Sequence, residues 1–401
     1  MKSNKRTNIG GKVWLGLAIV ALLLCVELPA SAQTWTLLHS FTGPDGSAPQ
    51  AGVTMDAAGN LYGTTSGGGT HHQGTVFKLT RRGSSWTLTT LYSFSGPDGS
   101  SPMARVMIGP DGTLYGTTYY GGSAGYGVVY RLQPPAGFCR SIQCSWTETV
   151  LYSFQDGSDG GYPIYGDLAF DQQGSIYGTA PGGGISNCDL GCGVVFKLTR
   201  SGASWTYSVL YSFTGNNDGE LPVGGVILDA SGNLYGTAAG GGAAGNGVVY
   251  KLTASGSGWT ESVLYDFPNY SDGSNPEGGL IFDRFGNLYG TTERDGEDSG
   301  GTVYELTPAN GGWNFAVLAA VPAYTGSVAR LAMDSSGNLY GTVFLATFEV
   351  FKLTYSGNNW IMTQFGGGGS NGSVVVDGNN VIYGADDYGR YNEGSVFEIT
   401  Q

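Results

Sequence analysis

Six side chains form a candidate binding set: Arg105, Asp167, Glu277 and Arg330, which offer opposite charges, and Tyr120 and Tyr165, whose rings can stack on a sugar while their hydroxyls hydrogen-bond to it. They are spread over more than half the chain, so only the fold can gather them. Other chemistry is sparse. Of the three histidines, His71 and His72 share a loop and could serve as a general base or metal ligand, but adjacent residues lack the spacing of a zinc site. His39 occupies a strand position held elsewhere by Tyr92, Tyr152, Tyr211 and Tyr265, which makes it a packing residue. Gly121-Gly122-Ser123-Ala124-Gly125 matches the nucleophile-elbow pattern only formally, since no strand-to-helix context surrounds it. No Walker loop, dinucleotide fingerprint or HExxH is present. No catalytic residue is assigned.

Asp56 with Gly59, Asp171 with Gly174, Asp229 with Gly232, Asp283 with Gly286 and Asp334 with Gly337 resemble calcium loops, yet they lack the ligand density of one. An aspartate accepting backbone N–H groups beside a glycine explains them as turns. No metal site or cofactor is expected, calcium being the one ion that the acidic loops could hold.

What must position these residues is a repeat. Leu61-Tyr62-Gly63-Thr64-Thr65 returns six more times with small changes, placing tyrosines at 62, 115, 177, 235, 289, 340 and 383. Each unit reads as four short strands a to d bounded by Gly, Asn and Asp. In the fourth copy these are Gly225–Asp229, Asn233–Ala238, Gly247–Leu252 and Trp259–Phe267. Four strands repeated seven times predict an all-β, seven-bladed β-propeller. Trp35, Trp86, Trp146, Trp205, Trp259, Trp313 and Trp360 give the same count, one at the start of each strand d. Thr34–Phe41 reads as a strand d without its a, b and c, while the last repeat has a, b and c without d. The N-terminal strand is therefore expected to complete the last blade and close the ring. Gly63 is expected to leave room for a neighbouring aromatic ring.

In a propeller the b-to-c and d-to-a loops share one face, here termed upper, and a-to-b and c-to-d loops the other. Seventeen of the 30 acidic residues after position 32 fall in upper-face loops, opposed there only by Arg105, Arg294, Arg330 and Arg390. That face is expected to focus a negative potential attracting cations or basic partners. It also carries Tyr119, Tyr120, Tyr162, Tyr165, Tyr270, Tyr324, Tyr388 and Tyr391. Arg105, Asp167, Glu277 and Arg330 lie at or just before strand a, nearest the channel.

Basic residues up to Lys12, an apolar run Val13–Val26 and Ala30-Ser31-Ala32 have the order of a secretory signal over residues 1–32, leaving 33–401 as one propeller domain. Export, to the periplasm or beyond, is the expectation. Without that segment, 14 basic residues face 30 acidic ones, a net charge of −16 that repels nucleic acid and anionic lipid. No further run is long and apolar enough to span a membrane. The exported context favours disulfides, and the loops that carry them predict local pairs, Cys139 with Cys144 and Cys188 with Cys192.

Gly59-Asn60-Leu61-Tyr62-Gly63-Thr64-Thr65 followed by Gly74-Thr75-Val76-Phe77-Lys78-Leu79 resembles the unit of the GloVer tandem-repeat family of exported bacterial proteins. The resemblance covers nearly all of 33–401 and implies repeated propeller-like blades. It carries no catalytic residue, and the family's C-terminal anchoring segments have no counterpart in Glu398-Ile399-Thr400-Gln401. The reading is a secreted binding or interaction module, a monomer, with a carbohydrate or a basic protein as partner. The alternative is a propeller lyase or hydrolase acting on a glycan or small molecule at the upper face.

Overall fold

Short β-branched and aromatic runs, each stopped by an Asx turn, fold into seven four-stranded antiparallel sheets. The structure is a computed structural model describing residues 33–109, 111–135, 146–256, 258–322, 329–343, 349–366, 372–387 and 393–401. Cys139, Cys144, Tyr324, Tyr388, Tyr391 and Arg390 lie outside these residues. In blade 1, strand a is Val53–Met55, b is Leu61–Thr65, c is Thr75–Arg82 and d is Ser85–Ser93. Blades 2 to 6 repeat this order. In blade 7, Val375–Val376, Ile382–Asp386 and Ser395–Thr400 are joined by Thr34–Ser40, which pairs antiparallel with strand c from Thr34↔Thr400 to Ser40↔Ser395. The ring closes as expected. Trp86 of blade 1 meets Tyr383 of blade 7 at 6.0 Å, the contact that Trp205 makes with Tyr115 and Trp313 with Tyr235 inside the ring.

The repeated residues each hold one joint. Asp56 Oδ1 accepts the Ala58 and Asn60 backbone N–H groups at 2.9 and 2.8 Å, and its Oδ2 accepts the Asn60 amide and the Tyr62 hydroxyl. Burial works against the Asp56 charge, but these bonds outweigh it and hold the carboxyl below its ordinary range. The Asp–Gly pairs are turns, as read. A Cβ on Gly63 would stand 2.5 Å from Phe77 Cζ, and the equivalent glycines face Tyr130, Phe196, Tyr250, Tyr304, Phe351 and Phe397 just as closely. The missing side chain is thus filled by strand c of the same blade.

Blades are joined at the second half of strand b. Thr64 Oγ1 donates to the Ala104 carbonyl of the next blade at 3.1 Å, and Thr237, Thr291 and Thr342 donate in the same way to Gly278, Ala329 and Gly372. These carbonyls precede a set of equivalent positions around the channel: Gly52, Arg105, Asp167, Gly225, Gly279, Arg330 and Ser373. Backbone bridges join Gly52 to Ser373 and Asp167 to Gly225 across neighbouring blades. At Gly52 (φ +80°) a Cβ would sit 2.0 Å from the Ser373 carbonyl oxygen, so the closing seam requires glycine.

Candidate functional site

Three of the seven ring positions carry charge, and they meet. Arg105 of blade 2 donates through Nε to both oxygens of Asp167 of blade 3, at 3.2 and 3.1 Å, and through Nη2 to Oδ2. Arg330 comes from blade 6, donating through Nη1 to Asp167 Oδ2 at 3.2 Å and through Nε to the Leu280 carbonyl at 3.1 Å. The cluster spans the channel mouth, with Asp167 only 7% exposed. Burial disfavours the Asp167 charge, but the two guanidiniums prevail and hold its carboxyl below the ordinary range. Asp167 likewise overcomes burial to raise the Arg105 pKa. Burial lowers that of Arg330, because its single bond to Asp167 does not offset burial together with repulsion from Arg105. Below the cluster is a cavity of about 360 Å³ lined by Ile281, Phe282, Met333 and Val375 together with both arginines.

Glu277 does not join this cluster. It stands two residues before the ring position of blade 5, where burial and the Glu293 charge push its carboxyl up to about 7 against an opposing effect of Arg294. Glu293 itself is paired with Arg294 at 3.1 Å.

The tyrosines gather on the upper face beside Arg105 and Asp167 in sequence. Tyr119, Tyr120 and Tyr126 come from the b-to-c loop of blade 2 and Tyr162 from the d-to-a loop of blade 3. Ring centroids are 4.3 Å apart for Tyr119–Tyr120, 5.4 Å for Tyr119–Tyr162, 6.0 Å for Tyr120–Tyr162 and 5.3 Å for Tyr126–Tyr162. Tyr120 is 46% exposed. Tyr165 acts electrostatically on Tyr119, placing it at the same cluster. Tyr162 has φ +55°, and the equivalent Ala48, Ser101, Leu221 and Asn275, each followed by proline, are left-handed too. That backbone aims the Tyr162 N–H at the Tyr126 carbonyl, 2.9 Å away, and so ties the two loops together.

Several of the upper-face acids have structural partners. Asp98, Asp159, Asp218 and Asp272 accept hydroxyl hydrogen bonds from Tyr92, Tyr152, Tyr211 and Tyr265, and Asp45 bonds His39 at 2.8 Å. These acids brace the d-to-a turns, and His39 is a substituted member of the tyrosine series. The channel mouth itself holds two guanidiniums against one carboxylate. Cys188 and Cys192 form the expected disulfide, Cα atoms 5.1 Å apart. Among the described residues, the one grouping with metal-ligand composition is these two sulfurs with Glu220, and the disulfide consumes both thiols.

Two overlapping matches to the Gloeobacter/Verrucomicrobia repeat, residues 24–188 and 137–347, together cover more than half of the 401 residues. The chain belongs to this family. Among curated proteins none matches it. Among solved structures, a candidate 6-phosphogluconolactonase from Bacteroides uniformis shares 16% identity over 84% of this chain and 89% of its own, with a TM-score of 0.50. Another from Bacteroides fragilis shares 14% over 88% and 98%, with a TM-score of 0.49. A gluconolactonase of Xanthomonas campestris shares 13% over 77% and 86%, with a TM-score of 0.43. This Gloeobacter/Verrucomicrobia repeat propeller is therefore distantly like lactonase-type propellers in fold, and that likeness carries no activity across. Among its described residues, no helix is long and apolar enough to cross a membrane.

Proposed function

We propose that this propeller is an extracellular carbohydrate-binding module whose upper face stacks sugar rings on Tyr119, Tyr120, Tyr126 and Tyr162. The observation that carries the reading is that four-tyrosine cluster, with ring centroids 4.3 to 6.0 Å apart, at positions where the described residues of the other repeats have no aromatic side chain. Tyr120 stands where blades 1, 3 and 4 carry Gly67, Gly182 and Gly240 and blade 5 carries Arg294. Aromatic faces suit the C–H faces of a pyranose, and phenol hydroxyls suit its O–H groups. A glycan array on residues 33–401 tests this. Binding should fall at least about tenfold in Tyr120→Ala with Tyr162→Gly, as expected when one or two stacking contacts are lost. Absence of any glycan ligand, or unchanged binding by that variant, would refute it.

A second reading rests on Glu277 and Glu293. A carboxyl that burial and a neighbouring glutamate push up to about 7 has the character of the general acid in acid–base hydrolysis. It requires turnover of a bound glycan that Glu277→Gln abolishes without weakening binding.

A further inference from the structure

The repeat supplies its own reference for what belongs at each position, and the junction of blades 5 and 6 departs from it on the lower face. In strand pairing, the tyrosine of strand b faces Lys78, Lys197, Lys251 and Lys352 in blades 1, 3, 4 and 6. Each ammonium lies over its tyrosine ring, 4.9 to 5.4 Å from the centroid. In blade 5 the facing residue is Glu305, which accepts the Tyr289 hydroxyl at 2.7 Å. Blade 7 also has a glutamate, Glu398, but Arg81 of blade 1 acts on Tyr383 there and lies over Trp86 at 5.8 Å. Arg200 of blade 3 reaches Tyr115 of blade 2 likewise. At the corresponding position, which is Ala254 in blade 4 and Pro308 in blade 5, blade 6 has Tyr355, paired with Trp360, so the blade 5 tyrosine has neither a lysine from its own blade nor an arginine from the next.

The place is open. A cavity of about 570 Å³ lies there, walled by Tyr289, Phe285, Tyr355 and Trp360. Phe285 is 72% and Tyr355 59% exposed, and Phe285 replaces Ala58, Gln173, Ser231 and Ser336 of other blades. Asp283, Glu305 and Asp334 line the same cavity against one basic group, Arg284, whose guanidinium lies over Phe285 at 4.7 Å. Aromatic faces with a surplus of carboxylate are the surroundings an organic cation needs, and the volume is within the range of about 300–1,000 Å³ of small-molecule sites.

We propose that the lower-face cleft between blades 5 and 6 binds an organic ammonium group, which takes the place that lysine fills in blades 1, 3, 4 and 6. This site is independent of the upper-face tyrosines. The test is calorimetric titration of residues 33–401 with choline and with n-butylammonium, the first standing for quaternary and the second for primary, lysine-like ammonium groups. 3,3-Dimethylbutan-1-ol is the uncharged control. At least one cation should bind, and the alcohol should bind at least about tenfold more weakly. Glu305→Lys installs the residue of four other blades, so the fold is kept and the chain's own ammonium should abolish binding. Phe285→Ser, the residue of blade 4, should weaken it, while Tyr120→Ala should leave it unchanged. The proposal is overturned if neither cation binds, if the alcohol binds as tightly, or if Glu305→Lys binds as the natural chain does.

Discussion

The channel mouth and the cleft of blades 5 and 6 are both places where one blade differs from its siblings, but they resolve their charges differently. At the mouth, Arg105, Asp167 and Arg330 arrive from three blades and bond to one another. At the cleft, the lysine that faces the strand-b tyrosine in blades 1, 3, 4 and 6 is replaced by a carboxylate, and exposed aromatic rings stand beside it. In a repeat protein, a departure that is compensated within the chain reads as architecture, whereas one left uncompensated at an open cavity reads as a place for a ligand. Such a distinction requires equivalent positions to compare, which seven copies of one unit provide.

Both places presuppose the closed ring, so the largest expected effect comes from opening it. Deleting residues 34–41 removes the strand that pairs with Ser395–Thr400 and should lower the melting temperature and broaden the calorimetric transition. An unchanged melting curve would break the comparison at its root. Next is Asp167→Ala, which leaves two half-buried guanidiniums without their shared carboxylate and should cost about 3 kcal/mol in urea unfolding. Replacing the cluster as a whole, with Arg105→Met, Asp167→Leu and Arg330→Met, should recover most of that loss if its role is architectural. If the single variant were as stable as the natural chain, the mouth could not be called compensated.

A smaller effect is expected at the loop of blade 3 beside the mouth. Cys188→Ser with Cys192→Ser should cost at most about 2 kcal/mol, because so short a loop constrains little unfolded chain. Hydrogen exchange should show it confined to that loop. The smallest effect sharpens the comparison with a third kind of departure. Glu148 and Glu261 pair with the strand-c leucine where blades 3 and 5 place Tyr207 and Phe315. Burial, then repulsion from Asp98 and Asp218 respectively, pushes both carboxyls up to about 7, as burial does for Glu277. The folded chain thus holds protons there that the unfolded chain releases near 4.5, and these groups make stability fall as pH rises from about 4.5 through about 7. Asp167 acts in the opposite sense, its contribution being lost as pH falls below the ordinary carboxylate range through its lowered value. Urea midpoints measured from pH 4 to 8 should decline toward the upper limit, and Glu148→Gln with Glu261→Gln should flatten that decline.

The fold was legible because its joints recur: Tyr62, Gly63 and Trp86 each have a counterpart in all seven blades, so their spacing counts the blades. Thr64 was harder to read, since a threonine in a strand is ordinary and its bond to Ala104 crosses to the next repeat. For the site, sorting charges by loop brought forward Arg105, Asp167 and Arg330, which do meet. The same sorting could not separate them from Glu277, because position along strand a says nothing about which way a side chain turns. Nor could it show that Asp98 or Asp159 is bound to a tyrosine hydroxyl. The blade 5 cleft escaped notice because acids were grouped by face rather than by column. Glu305 among lysines, Tyr355 beside Arg81 and Arg200, and Phe285 among small or polar residues were visible in the aligned repeats.

The pairing of residues 34–40 with 395–400 also sets an order in time. Synthesis runs from the N-terminus, so the closing strand emerges before any blade, and the edge it completes emerges after all the others. Each hairpin can form as soon as its own residues are available, whereas the last blade pairs residues more than 350 apart in the sequence, the contact with the largest loop-closure cost. To that strand, the open edge of its own chain and that of a second copy are chemically the same partner. A closure made by one terminal strand is the kind that strand exchange between two chains can imitate, and such exchange grows with local concentration rather than with any contact inside a blade.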